Sequence, residues 1–149
     1  MTTTAENQQV VLARAIATVA HLGQTDKLGA VYIGHPRRVA ESLTDPMQQA
    51  IAWLHDVLED TPVSEETLVK VGVERRIIEA VRLLTRRPNV ASDDYYAAIR
   101  SNQDALAVKL ADIDDSTLPW RVAALRGQAD RLEIKYAKAR EALTAEENV

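Results

Sequence analysis

Apolar residues recur along this chain at spacings of three and four rather than in alternation, which predicts helices from end to end. Val10, Ala13, Ala17 and Ala20 mark a first helix over about residues 6–22, and Gly23 ends it, since glycine tolerates the positive φ of a helix C-terminus. Residues 24–34 predict a loop. Pro36 suits the first turn of a second helix, which runs to about Leu43 with His35 at its mouth. Asp45-Pro46 starts a third, with the apolar stripe Met47, Ile51, Leu54 and Leu58, until Thr61-Pro62 breaks the pattern. Ser64 caps a short helix reaching Val69. Residues 74–84 turn Ile77, Ile78, Val81 and Leu84 inward. After the turn Arg86-Arg87-Pro88-Asn89, helices are expected over 93–100 and 103–115.

The last third carries Leu118, Val122, Leu125, Ala129, Leu132, Tyr136, Ala139 and Leu143, whose steps alternate between four and three as in a heptad seam. Gly127 splits or kinks it. The seam is expected to pack on the rest of the bundle, and it also offers a surface for a homodimer through the C-terminal helices. Residues 1–5 and 145–149 are expected to fray. With no internal repeat, no linker and no alternating run longer than 30–33, the expectation is a single all-α domain over 1–149, a bundle of about eight or nine helices.

Composition supports this. The chain has 149 residues, enough to bury a core, with 46% hydrophobic and 27% charged residues. It is rich in alanine, with 5 glycines and no phenylalanine, a balance that favours helix over β-sandwich. The absence of cysteine excludes disulfides, thiolate metal sites, iron–sulfur clusters and a cysteine nucleophile. A net charge of -4 argues against a general nucleic-acid binder and, at face value, against an anionic substrate. The apolar stretch 10–22 is interrupted by Arg14 and His21 and is too short to span a bilayer, and no basic region precedes it, so a cytoplasmic protein is expected.

Candidate chemistry gathers in three segments. On the third helix, His55-Asp56 is followed one turn later by Glu59-Asp60, so His55 sits over Glu59 and Asp56 over Asp60. Acidic residues at a helix C-terminus oppose the macrodipole, and a bound cation would remove the conflict. In Lys109-Leu110-Ala111-Asp112-Ile113-Asp114-Asp115, Asp112 shares a helix side with Lys109 and Asp115, either as a surface charge or as an inward ligand. In Tyr32-Ile33-Gly34-His35-Pro36, His35 is held at a helix start, where it could equally be a structural cap. His35, His55, Asp56 and Asp112 together offer two imidazoles and two carboxylates. That sulfur-free set suits Mn²⁺ or another six-coordinate divalent ion, with two positions left for water and a phosphate oxygen. Spacing alone does not bring the segments together.

These segments, with His21-Leu22-Gly23-Gln24-Thr25-Asp26-Lys27, resemble the HD-domain metal-dependent phosphohydrolases, and more narrowly the (p)ppGpp hydrolase domain of the RelA/SpoT family and its small single-domain relatives. The matching stretches fall in family order over roughly the first three quarters of the chain. The resemblance implies an HD-domain helical bundle and a metal, usually Mn²⁺, on His35, His55, Asp56 and Asp112. It implies Glu59 and Asp60 as the pair that positions or activates the attacking water, and Lys27 near the nucleotide. The implied reaction is attack of metal-bound water on phosphorus, releasing pyrophosphate from the ribose 3′ position. Lys109 and Ser116 complete the candidate substrate contacts.

Three departures bear on the substrate. Asp26 stands where the family carries a base-holding arginine, Ser116 stands in the place of a nucleotide-contacting asparagine, and Leu84-Thr85-Arg86 is a loose counterpart of Val-Thr-Lys. They keep open an HD phosphatase acting on another nucleotide, such as a nucleoside monophosphate or a phosphorylated dinucleotide. A non-catalytic metal- or nucleotide-binding module is a further alternative, against which Glu59 and Asp60 speak. His21 is expected to be a buried histidine bonded to a backbone group. Arg37, Arg38, Arg75, Arg76, Arg86 and Arg87 are candidate phosphate contacts, most of them expected on solvated helix faces. The acidic excess concentrates around a cation site, which in turn attracts phosphate, so the net charge does not exclude a nucleotide.

Overall fold

Asp45 and Pro46 begin the helix around which the others assemble. The Asp45 carboxylate accepts the Met47 N–H at 2.9 Å and Pro46 fills the first turn, so the start is specified twice. In the computed structural model, which describes residues 4–119, 121 and 129–145, nine helices are described. They are α1 (Thr4–Ala20), α2 (Gly34–Glu41), α3 (Pro46–Leu54), α4 (Val57–Asp60), α5 (Glu65–Lys70), α6 (Arg75–Leu84), α7 (Ser92–Arg100), α8 (Gln103–Ser116) and α9 (Ala129–Thr144). Among the described residues the β-type contact is an isolated antiparallel bridge between Thr25 and Val31. None of the helices described is long and apolar enough to cross a membrane.

α3 is apolar on nearly every side. Ala50, Ile51, Ala52 and Leu54 are fully buried, and α1, α2, α6 and α8 pack around them. The other expected faces appear as well. Ala13 and Ala17 of α1 are buried, as are Ile77, Ile78, Val81 and Leu84 of α6. Ser64 caps α5 by accepting the Thr67 N–H, and Asn102 caps α8 by accepting that of Ala105. Gly23 has φ +85°, which suits the exit from α1.

The C-terminal seam is used within the chain. Leu132, Ala139 and Leu143 are buried, Tyr136 packs against the core, and α9 lies on α7 and α8. Val122, Leu125 and Gly127 lie outside the described residues, as do residues 1–3 and 146–149, most of the expected frayed ends.

The third helix departs from the expected single helix. It stops at Leu54, turns at His55-Asp56 and restarts as α4. The cause lies in one carbonyl. A continuous α-helix would offer the Ala52 oxygen to the Asp56 N–H, but the His55 ring takes it through Nδ1 at 2.6 Å. Asp56 settles at φ −107°, ψ 0°. Glu59 and Asp60 therefore lie in a short helix of their own rather than at the end of a long one, and the expected conflict with a long helix's macrodipole does not arise. The first helix ends at Ala20 and the second at Glu41, two residues earlier than expected in each case.

Candidate active site

Consecutive residues of a regular helix point about 100° apart. The break after Leu54 changes that for His55 and Asp56, whose side chains reach one point: His55 Nε2 lies 3.1 Å from Asp56 Oδ2. α2 brings His35 to the same point, with its ring centroid 5.3 Å from that of His55. One ligand atom each from His35, His55 and Asp56 lie within 4.8 Å of one another, and Asp56, Glu59 and Asp60 form a second such group beside it. α8 closes the site with Asp112, whose Oδ1 is 2.7 Å from His35 Nε2 and 3.7 Å from His55 Nε2. The four candidate metal ligands thus come together from three segments of the chain.

A divalent cation fits this arrangement. Because His55 Nδ1 donates to Ala52, the neutral ring carries its lone pair on Nε2, yet that buried atom has no hydrogen-bond partner among the described residues. An acceptor atom buried without a donor, between two carboxylates, is what a metal ligand looks like without its metal. Without an ion, the two carboxylates draw a proton to the same point, as they would draw a cation. Burial works against charge on His55, but Asp56 and Asp112 overcome it and hold the ring's pKa well above its ordinary value. Burial would also raise Asp56 and Asp112. The cationic form of His55, with the hydrogen bonds around them, instead drives Asp56 to about 2 and Asp112 well below the usual range. Lys109 contributes to Asp112 through an ion pair at 3.1 Å.

The catalytic candidates lie on the open side. Glu59 Oε1 accepts the backbone N–H of Arg86 at 2.6 Å. Burial, together with the charges of Asp56 and Asp60, raises the Glu59 pKa despite that bond. Asp60 is raised too, by burial and by Asp56.

Two cavities meet at the cluster. The smaller, of about 170 Å³, is lined by Arg86, Lys109, Lys135, Tyr95 and Tyr96 beyond His55, Asp56, Glu59 and Asp112. The larger, of about 470 Å³, holds Lys27, Ser116, Arg121, Leu132 and Tyr32 around His35, Asp56, Asp60 and Asp112. Glu59, Lys135 and Tyr136 border both.

The structure therefore brings together every candidate ligand, both candidate catalytic carboxylates, and Lys27, Lys109 and Ser116. Lys109 is already engaged with Asp112, so it also helps to hold that carboxylate. Four further side chains contribute, and three of them carry no mark in the spacing of the sequence. Tyr32 donates its hydroxyl to Asp56. Asp115 bonds His35, and Arg38 bonds Asp115. Lys135 reaches both cavities from α9. Asp115 had a weak signal in its one-turn spacing from Asp112, whereas Lys135 stood on a helix read only for its seam.

Some expectations change. His21 is buried as expected, but Nδ1 meets the side-chain oxygen of Gln24 at 3.0 Å rather than a backbone group. Arg38 is spent on Asp115 rather than free for phosphate. Arg37, Arg75 and Arg76 form ion pairs on helix surfaces with Glu41, Glu79 and Asp104, while Arg87 approaches Glu65. Asp26 builds its own loop: Oδ1 accepts the N–H groups of Leu28 and Ala30, and Oδ2 pairs with Arg121 at 3.3 Å.

No family model matches this sequence. A solved structure does: a metazoan ortholog of SpoT, described as hydrolysing ppGpp and playing a role in starvation responses. It aligns with a TM-score of 0.59 and 22% identity over 96% of this chain and 99% of its own. The two chains share a fold. The match extends along almost the whole of both, and this fold carries the expected helical architecture from α1 to α9.

Proposed function

We propose that the chain is a metal-dependent nucleotide phosphohydrolase, acting on (p)ppGpp or a close relative by removing pyrophosphate from the ribose 3′ oxygen. The observation that carries this reading is the unpartnered Nε2 of His55, buried between Asp56 and Asp112 and facing His35, with Glu59 alongside. His35, His55, Asp56 and Asp112 would hold the ion, Mn²⁺ by the chemistry of the set. When bound, such an ion polarises a phosphoryl group and makes water more acidic.

The remaining work falls to the chain's own side chains. Water oxygen attacks phosphorus, the bond from phosphorus to O3′ breaks with its electron pair on O3′, and that oxygen takes a proton from solvent as the nucleotide leaves with a hydroxyl there. Glu59 accepts the water proton, for which its raised pKa and its anchorage to Arg86 suit it. Tyr32 and Lys109 hold Asp56 and Asp112 in place. Lys27, Lys135 and Arg86 present positive charge to the phosphates from the two cavity walls.

Asp26 favours a second reading of the substrate. Its carboxylate is committed to its own loop and to Arg121, so a guanine contact from this position is absent, and a nucleoside monophosphate or phosphorylated dinucleotide is the competing substrate. One panel of nucleotides decides, assayed with Mn²⁺ and again with a chelator. Chelator-sensitive release of pyrophosphate from (p)ppGpp, faster than phosphate release from adenine nucleotides, is expected. Equal rates would mean relaxed base selection. No turnover of any nucleotide would leave a binding module.

A further inference from the structure

His35 has both ring nitrogens engaged, and by two residues one turn apart on the same helix. Nε2 faces Asp112, while Nδ1, on the far side of the ring, lies 2.6 Å from Asp115 Oδ2. Asp115 is 7% exposed, and both its oxygens are taken by Arg38, through Nε at 2.8 Å and Nη2 at 3.1 Å. Arg38 lies one turn beyond His35 on α2. Two residues of α2 and two of α8 are thus tied into one chain of charge and hydrogen bonds running from the surface to the cluster. His55 is held differently, by the neutral carbonyl of Ala52.

We propose that Asp115, oriented by Arg38, is the positioning carboxylate of this site: it holds the proton on His35 Nδ1 and so turns the Nε2 lone pair, with enhanced basicity, toward the ion. The inference rests on the metal reading given above. Asp115 is not itself a ligand, because it stands behind the ring and its oxygens are occupied. A carboxylate behind a ligating imidazole fixes its tautomer and strengthens it as a donor, and such partners are worth roughly 10- to 100-fold in metal affinity. The arrangement makes His35 the stronger of the two imidazole donors and His55 the weaker. The Arg38 fork prevents Asp115 from swinging away and tempers its charge.

The test is Mn²⁺ titration of the full chain by calorimetry, comparing wild type with Asp115→Asn and Arg38→Met, with thermal unfolding of the metal-free proteins alongside. Asp115→Asn keeps the shape and removes the charge, and a loss of roughly tenfold or more in affinity is expected. Arg38→Met removes the fork but keeps the carboxylate beside His35, so a loss smaller than that of Asp115→Asn is expected. Wild-type affinity in Asp115→Asn overturns the proposal. So does an equal loss in both variants that tracks their loss of stability. Nitrogen-15 NMR of the wild-type protein loaded with Zn²⁺ needs no variant: a protonated Nδ1 on His35 supports the proposal, and a protonated Nε2 overturns it. Wild type that binds no Mn²⁺ at all removes the metal reading on which the proposal stands, a failure distinct from unchanged binding in Asp115→Asn.

Discussion

Glu59 is tethered to Arg86 through a backbone N–H at 2.6 Å, so the carboxylate proposed to accept a proton is aimed by a loop 27 residues further along the chain. The same loop directs the Arg86 side chain to Ser92 and over the ring of Tyr95, on the wall of the smaller cavity. Base and phosphate wall are thereby set by one segment.

Glu59→Ala is expected to bind Mn²⁺ as wild type does and to lose roughly 10²- to 10⁴-fold in turnover, the usual worth of a positioned base. Metal titration and single-turnover kinetics separate the two effects, and a fully active variant would remove Glu59 from the mechanism.

Asp56→Ala is expected to lose metal and activity together. Asp56 is bonded by Tyr32 and lies 3.1 Å from His55 Nε2, at the centre of both ligand groups. Equilibrium dialysis with Mn²⁺ checks the first loss, the nucleotide assay checks the second, and circular dichroism should show the helices intact.

Lys135 forms no ion pair with a carboxylate among the described residues. Burial, then the nearby charges of Lys27, Lys109 and Arg86, lowers its pKa. Basic side chains gathered along one wall of a cavity attract an anion to that wall. Lys135→Met is expected to raise KM about tenfold for a polyphosphorylated nucleotide and to change kcat little. A KM equal to that of wild type would place the phosphates elsewhere.

Arg76 binds Asp104 with both arms of its guanidinium, at 2.8 and 3.0 Å, joining α6 to α8. The hydrogen bond from Arg76 lowers the Asp104 pKa, outweighing burial. The unfolded chain therefore binds the proton more readily than the folded one, and the pair's contribution is complete above the ordinary carboxylate value and lost as pH falls through the lower native value. Asp104→Asn is expected to cost about 0.5–1 kcal/mol at pH 7, a half-exposed pair's worth, and the difference from wild type should shrink toward zero in acid. Urea unfolding at the two pH values measures it.

Ile51 is fully buried on α3, the helix that α1, α2, α6 and α8 surround. Ile51→Ala is expected to cost about 2–5 kcal/mol, read as a lower denaturation midpoint. Since α3 leads directly into His55, reduced Mn²⁺ affinity should accompany it.

Much of this protein was legible in the order of its residues. The apolar spacing of Ile77, Ile78, Val81 and Leu84, the caps at Asp45 and Ser64, and the glycine at 23 are local signals, because a helix and its ends are decided within a few residues. The ligand types were legible too: His35, His55, Asp56 and Asp112 suit one hard divalent ion wherever they meet. Their meeting was not legible. It depends on α2 and α8 packing against α3 and on the His55 ring capturing the Ala52 carbonyl, which turns two neighbouring side chains to one point. Asp115 behind His35 and Lys135 across the cavity follow from the same packing, since 80 residues separate the first pair and helical periodicity carries no information over such a distance. The sequence by itself determined which chemistry the side chains could perform. The tertiary structure alone decided which of them stand close enough to perform it, because those distances are set by the burial of helix faces against one another.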